Sequence, residues 1–202
     1  MSDCVFCNFS KIKERIIATI EGFNIVATLG QITNGGYLLL IPTRHTSCLG
    51  NLKSDEITSL ENVLSQTMVF LEEEYQSGVT LFEHGIVGQT VKHAHLHLIP
   101  SKIKFHKSIV SDFPHSEIQS ITSLTQLSNL YKKRQEPYLL WSTVNSNYQI
   151  CWNPPAAPEY LRILSAQALG VPERASWRNM NPQLDKELVD QTITRMFPFF
   201  NP

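Results

Sequence analysis

Short apolar runs and longer amphipathic ones alternate along the chain. Asn24–Leu29 (NIVATL) and Tyr37–Pro42 (YLLLIP) are strand-sized aliphatic runs. Gln31–Gly36 (QITNGG) between them holds Asn34, Gly35 and Gly36, residue types that supply the positive φ of a turn, so the pair predicts an antiparallel hairpin. Ser54, Asp55 and Glu56 then open a helix on which Ile57, Leu60, Val63, Leu64, Met68 and Leu71 recur at helical spacing. Val79–Gly85 (VTLFEHG) and His93–Pro100 (HAHLHLIP) predict two further strands, neighbours in one sheet.

From about residue 106 the pattern is less regular. It predicts a helix over Ser116–Lys133 and strands over Tyr138–Val144 and Tyr148–Trp152. A break follows at Pro154, Pro155 and Pro158, then a helix over Glu159–Leu169 capped by Gly170. A last helical pattern covers Leu184–Met196. The expectation is a first unit over residues 1–105, with residues 106–202 forming an extension packed on it or a small lobe.

The 202 residues suffice for one substantial core, and 42% hydrophobic with 17% charged residues is a globular balance. A formal net charge of −1 gives no global field toward nucleic acid or a membrane surface, so an anionic ligand must be held by local groups. The N-terminal MSDCVFCNFS lacks the basic-then-apolar order of a signal peptide, and no apolar run approaches a membrane span. These readings predict a cytoplasmic protein. In such a reducing compartment Cys4, Cys7, Cys48 and Cys151 point to metal binding or burial before disulfides.

Three of the seven histidines stand on alternate residues: His93, His95 and His97. On a strand they share one face, while Ala94, Leu96 and Leu98 face the core. Such a row suits a metal site, nucleophilic and acid–base chemistry at a phosphate, or merely a polar face. Gly88, Gln89 and Thr90 just precede it. Gly88 permits close backbone approach, and Gln89 and Thr90 supply amide and hydroxyl donors, which favours a phosphate over a bare metal. Cys4-x-x-Cys7 is by itself half of a metal site, undecided between zinc and chance.

The segment GQTVKHAHLHLIP resembles the signature of the histidine triad superfamily, His-φ-His-φ-His-φ-φ with φ apolar, over His93–Ile99. CVFC near the N-terminus, YLLLIPTRH ending at His45 and FEHG over Phe82–Gly85 are similar to bacterial members. The likeness is strong to about residue 105, and PEYLRILSAQALG resembles the C-terminal extension of a longer branch. The resemblance implies an α+β fold, an antiparallel sheet with packed helices, usually as a homodimer. It also implies a nucleotide hydrolase or transferase acting at an α-phosphate, with nucleoside phosphoramidates and dinucleoside polyphosphates as substrates. His95 would then be the nucleophile and His97 a donor to phosphate oxygens or the leaving group, with Gly88, Gln89 and Thr90 steadying the phosphate. The same likeness completes a structural zinc site from Cys4, Cys7, His45 and His93.

Two departures stand out. Thr28 and Leu29 occupy the place where many members carry a ribose-binding aspartate, and small members have an asparagine near Glu83. Arg162 offers a phosphate contact from the extension, but a lone helix arginine is more often solvated. Trp141, Trp152 and Trp177 offer base stacking, but such residues are more often packing. His106 and His115 are read as surface, and Glu83 and His84 as bordering the pocket. The competing readings are a phosphorylase or nucleotidyltransferase sharing the same intermediate, a non-catalytic nucleotide-binding protein, and a metalloenzyme built on the histidine row.

Overall fold

A computed structural model describes residues 4–143 and 147–201. Along them run α1 (Phe9–Ile12), β1 (Ile16–Ile20), β2 (Phe23–Ala27), β3 (Leu38–Pro42), α2 (Ser54–Tyr75), β4 (Thr80–Gly85), β5 (Leu96–Ile99) and α3 (His106–Asp112). They continue with β6 (Ile118–Ile121), α4 (Leu124–Arg134), β7 (Tyr138–Ser142), β8 (Tyr148–Trp152), α5 (Tyr160–Ala168) and α6 (Pro182–Phe200). The strands form one antiparallel sheet in the order β1-β2-β3-β5-β4-β7-β8-β6, so the fold is α+β, with helices against the sheet.

Period-two alternation decides which side each residue serves. Phe23, Ile25, Leu38, Leu40, Leu96, Leu98, Leu81, Tyr138, Leu140, Ile150 and Trp152 point to one side, where they pack with α2 and α4 and with Val189 and Met196 of α6. On the other side Phe82, Ile99, Leu139, Trp141 and Cys151 pack with α3 and α5. Nearer β2 and β3 that second face thins to Val26, Leu39 and Ile41, with only Phe6 and Ile16 packed on them. The functional side chains stand in this thin region.

The hairpin of β2 and β3 holds, with Ile25 opposite Leu40, and β4 pairs with β5 as expected. α2 buries Ile57, Leu60, Val63, Leu64 and Leu71, and Met68 is half-buried against the same cluster. The Glu56 carboxylate accepts the Lys53 N–H at 2.8 Å, satisfying one of the free donors at the start of α2.

The chain after residue 106 departs more from expectation. Ser116–Lys133 is not one helix: Ile118–Ile121 is an edge strand on β8, and the helix begins only at Leu124. Ser123 Oγ accepts the Gln126 N–H at 3.2 Å and sets that start, while pairing with β8 satisfies the backbone of the four residues before it. β7 pairs with β4, so the later strands extend the same sheet. Val144, expected at the end of a strand, lies outside the described residues. α5 is shorter than expected because Glu159 takes a left-handed φ of 64° ahead of it. α6 is longer, starting at Pro182 behind Asn181, whose Oδ1 accepts the Leu184 N–H. It packs on β1, β2 and α2, and Gly36 N–H donates to Thr192 Oγ1 at 2.9 Å. No helix among the described residues is long and apolar enough to cross a membrane.

Candidate functional site

β5 begins at Leu96, later than the histidine row suggests. The reason is local: Ala94 N–H leaves the ladder to donate to Thr46 O at 2.7 Å. The row survives this bend. The rings of His95 and His97 lie 4.8 Å apart, and His93 stands at their N-terminal side with Phe6 edge-on to both His93 and His95.

His93 faces a cluster with Cys4, Cys7 and His45, whose ligand atoms all lie within 4.8 Å of one another. His93 Nδ1 is 3.5 Å from both Cys4 Sγ and Cys7 Sγ, and His45 Nδ1 is 3.2 Å from Cys7 Sγ. Zinc bonds of about 2.3 Å to sulfur and about 2.0 Å to nitrogen give a tetrahedral S···N edge of about 3.5 Å, so the spacing fits a Cys2His2 ion. The second ring nitrogen fits as well. His93 Nε2–H donates to Pro42 O at 2.8 Å, which fixes the tautomer that presents Nδ1 to a metal.

His95 and His97 look into a pocket whose free space, including its open mouth, is ≈ 670 Å³. His95 is 6% exposed and His97 4% exposed. His95 Nδ1–H donates to His93 O at 2.6 Å, so the free nitrogen of the neutral ring is Nε2. Burial, more than any other influence, pulls the His95 pKa down to about 4, and its Nε2 lone pair is available at neutral pH. His97 stacks on Phe82 at 4.3 Å and pairs through Nδ1 with Tyr37 Oη at 2.7 Å. Burial pushes the Tyr37 hydroxyl up to about 12, so it keeps its proton and donates it to Nδ1. The other nitrogen of His97, Nε2, then carries hydrogen and has no protein partner among the described residues.

His84, one strand over on β4, completes the imidazole wall. Leu161 N–H donates to its Nε2 at 3.1 Å, and burial brings its pKa down to about 3. Glu83 points the opposite way, as strand alternation requires. It accepts Leu49 N–H at 2.7 Å and Tyr138 O–H at 2.6 Å beneath the sheet, and burial raises its pKa to about 8.

The C-terminal half closes the pocket. Glu159 N–H donates to Gly88 O at 3.0 Å, and a Cβ on Gly88 would meet Ala157 O at 2.8 Å, so only glycine allows this approach. Glu159, Arg162 and Trp177 line the space together with Arg15, Thr28, Leu29 and Thr90. Gly88 and Thr90 therefore stand at the pocket as expected. Gln89 does not line it: its amide donates to Ser47 O at 2.9 Å and braces the loop instead.

The family described as "Scavenger mRNA decapping enzyme C-term binding" has a model that matches residues 3–110, more than half of the chain. The chain belongs to this family, within the histidine triad superfamily. Among solved structures it is similar to a hypothetical histidine triad nucleotide-binding protein from Sulfolobus tokodaii. The identity is 22% over 48% of this chain and 68% of that one, with a TM-score of 0.43. It is also similar to a Hit-like protein involved in cell-cycle regulation from Bartonella henselae, with 19% identity over 43% of this chain and 65% of that one and a TM-score of 0.38. No curated protein matches the sequence.

For this histidine triad chain, three pocket residues were undervalued by sequence reading. Arg162 is buried, not solvated, and Trp177 lines the pocket while Trp141 and Trp152 are core. Arg15 drew no notice. A signal for Arg162 existed: it lies four and seven residues before Ala166 and Leu169, on the apolar stripe of α5. His106 and His115 are exposed, as expected.

Proposed function

We propose that the protein is a nucleotide hydrolase that cleaves at the α-phosphate of nucleoside phosphoramidates or dinucleoside polyphosphates through a nucleotidyl-histidine intermediate on His95. The supporting observation is the His95 ring itself: neutral, pinned through Nδ1–H to a carbonyl, with Nε2 free at a pocket wall. The Nε2 lone pair attacks the α-phosphorus as the bond to the leaving group breaks and the leaving group takes the bonding pair. The ring becomes an imidazolium, and the His93 carbonyl that accepts its Nδ1–H steadies the new charge. His97 Nε2–H, without a protein partner among the described residues, donates a hydrogen bond to a phosphate oxygen or to the leaving group. Water then attacks phosphorus, the P–N bond breaks, His95 returns to its neutral form and a nucleoside monophosphate leaves. Gly88 and Thr90 hold phosphate oxygens, and Gln89 acts by bracing their loop. The apolar side chains Val5, Phe6, Leu29, Leu39 and Trp177 offer a face for the base.

Cys4, Cys7, His45 and His93 hold a structural zinc ion in this reading. Four protein ligands leave no open position, so the ion ties the N-terminal segment, including Phe6, to the strands of the active face.

Purified protein incubated with diadenosine tetraphosphate, and separately with adenosine phosphoramidate, tests the function. AMP is expected from the wild type and not from His95→Ala. AMP release by folded His95→Ala, or turnover of neither substrate by folded wild type, overturns the reading. ADP formed only when phosphate is added would assign a phosphorylase with the same intermediate.

A further inference from the structure

Among the described residues Arg162 has no acidic partner for its charge. It is 4% exposed, yet it donates to neutral carbonyls: Nη2 to Gly30 O at 2.9 Å and Nε to Ala175 O at 3.2 Å. No carboxylate among the described residues lies within ion-pair distance of the group, and the Tyr37 hydroxyl beside it is neutral. The two nearby acids are engaged elsewhere. Glu159 pairs with Arg178 at 2.7 Å, and Asp185 accepts the N–H groups of Gly30 and Gln31. A guanidinium buried without an acid is unfavourable unless something anionic arrives.

Its position says where that anion would sit. Arg162 lines the same pocket as His84, His95 and His97, and its Cζ is 5.2 Å from the centre of the Tyr37 ring, whose hydroxyl holds His97. The permanently charged cations lining the pocket are Arg162, deep inside, and Arg15, whose Nη1 is tied to Ala27 O at 3.1 Å. Two carbonyls hold the Arg162 fork in place, which leaves little reorganisation for binding. Gly30 keeps the path clear: at its φ of +71° a Cβ would lie 2.6 Å from both Arg162 Nη2 and Trp177 Cβ.

We propose that Arg162 is a phosphate-binding residue of this site, supplied by the C-terminal half of the chain, and that it holds phosphate oxygens of the substrate. The proposal rests on the nucleotide reading only in taking the anion to be a nucleotide's phosphate.

Calorimetric binding of pyrophosphate, AMP and adenosine to the wild type, Arg162→Met and Arg162→Lys tests it, with thermal melting as a check on folding. Arg162→Met is expected to weaken pyrophosphate and AMP about 10- to 100-fold, the loss of one charge-assisted contact, and to leave adenosine unchanged. Arg162→Lys is expected to lose less, and it serves alone should Arg162→Met not fold. Equal loss for AMP and adenosine would make Arg162 a packing residue and overturn the proposal. So would unchanged pyrophosphate binding in the variants, or no pyrophosphate binding by the wild type. Arg162-dependent pyrophosphate binding without AMP binding would keep the anion site and sink the nucleotide reading.

Discussion

Glu83 offers the sharpest physical test of the fold. It is fully buried, accepts Leu49 N–H and Tyr138 O–H, and burial raises its pKa from 4.5 to about 8. An acid with a raised folded pKa stabilises the fold fully below the unfolded value, and that stability is lost as pH rises through the folded value. The window is therefore pH 4.5 to about 8. Integrating the linkage relation from pH 5 to pH 8 with these two values gives a loss of about 4 kcal/mol from this single group. For a chain of this length that is roughly 10 °C in Tm. Glu83→Gln keeps an acceptor for Leu49 and removes the titration. Urea unfolding of both proteins at pH 5, 6, 7 and 8 measures the effect, and subtracting the two curves cancels the contributions of every other group. The wild type should lose about 4 kcal/mol more than the variant across that range. Parallel curves would refute the reasoning and show that the Leu49 and Tyr138 hydrogen bonds keep Glu83 ionised in the folded state.

Two further outcomes follow from the site. Cys7→Ser should reduce bound zinc, measured by elemental analysis, from one ion per chain toward none. A chelator should lower the wild-type Tm by about 5 °C or more and leave that variant nearly unmoved. Tyr37→Phe removes the donor that fixes the His97 ring, so kcat should fall about 10-fold with KM nearly unchanged, and stability by about 1 kcal/mol. Equal kcat in the two proteins, measured by AMP release, would show that the tautomer of His97 does not matter.

The sequence carried the first half of the fold well. The two hairpin strands and α2 were legible because each element's periodicity matches its environment: both hairpin strands are buried on each face, and α2 has one apolar stripe. β1 and β6 were not. Ile118–Ile121 has local helical character, and only the open edge of β8 makes it a strand. The histidine row and its alternation were legible, as was the grouping of Cys4, Cys7, His45 and His93, through family likeness. Gln89 was misplaced toward the pocket because side-chain direction in a loop depends on the loop's own hydrogen bonds, here to Ser47 O.

By itself, the sequence determined the chemistry available: three imidazoles on alternate residues, a Cys-x-x-Cys pair, and a glycine before the row. Alternation along a strand is a local rule, so those residues declare their common face without knowledge of the rest of the chain. Tertiary structure alone decided charge and protonation. Burial makes His84, His95 and His97 neutral, turns Glu83 away under the sheet, and brings Arg162 from more than sixty residues downstream into the same pocket. Desolvation depends on what packs against a group in space, and periodicity along the chain cannot report it.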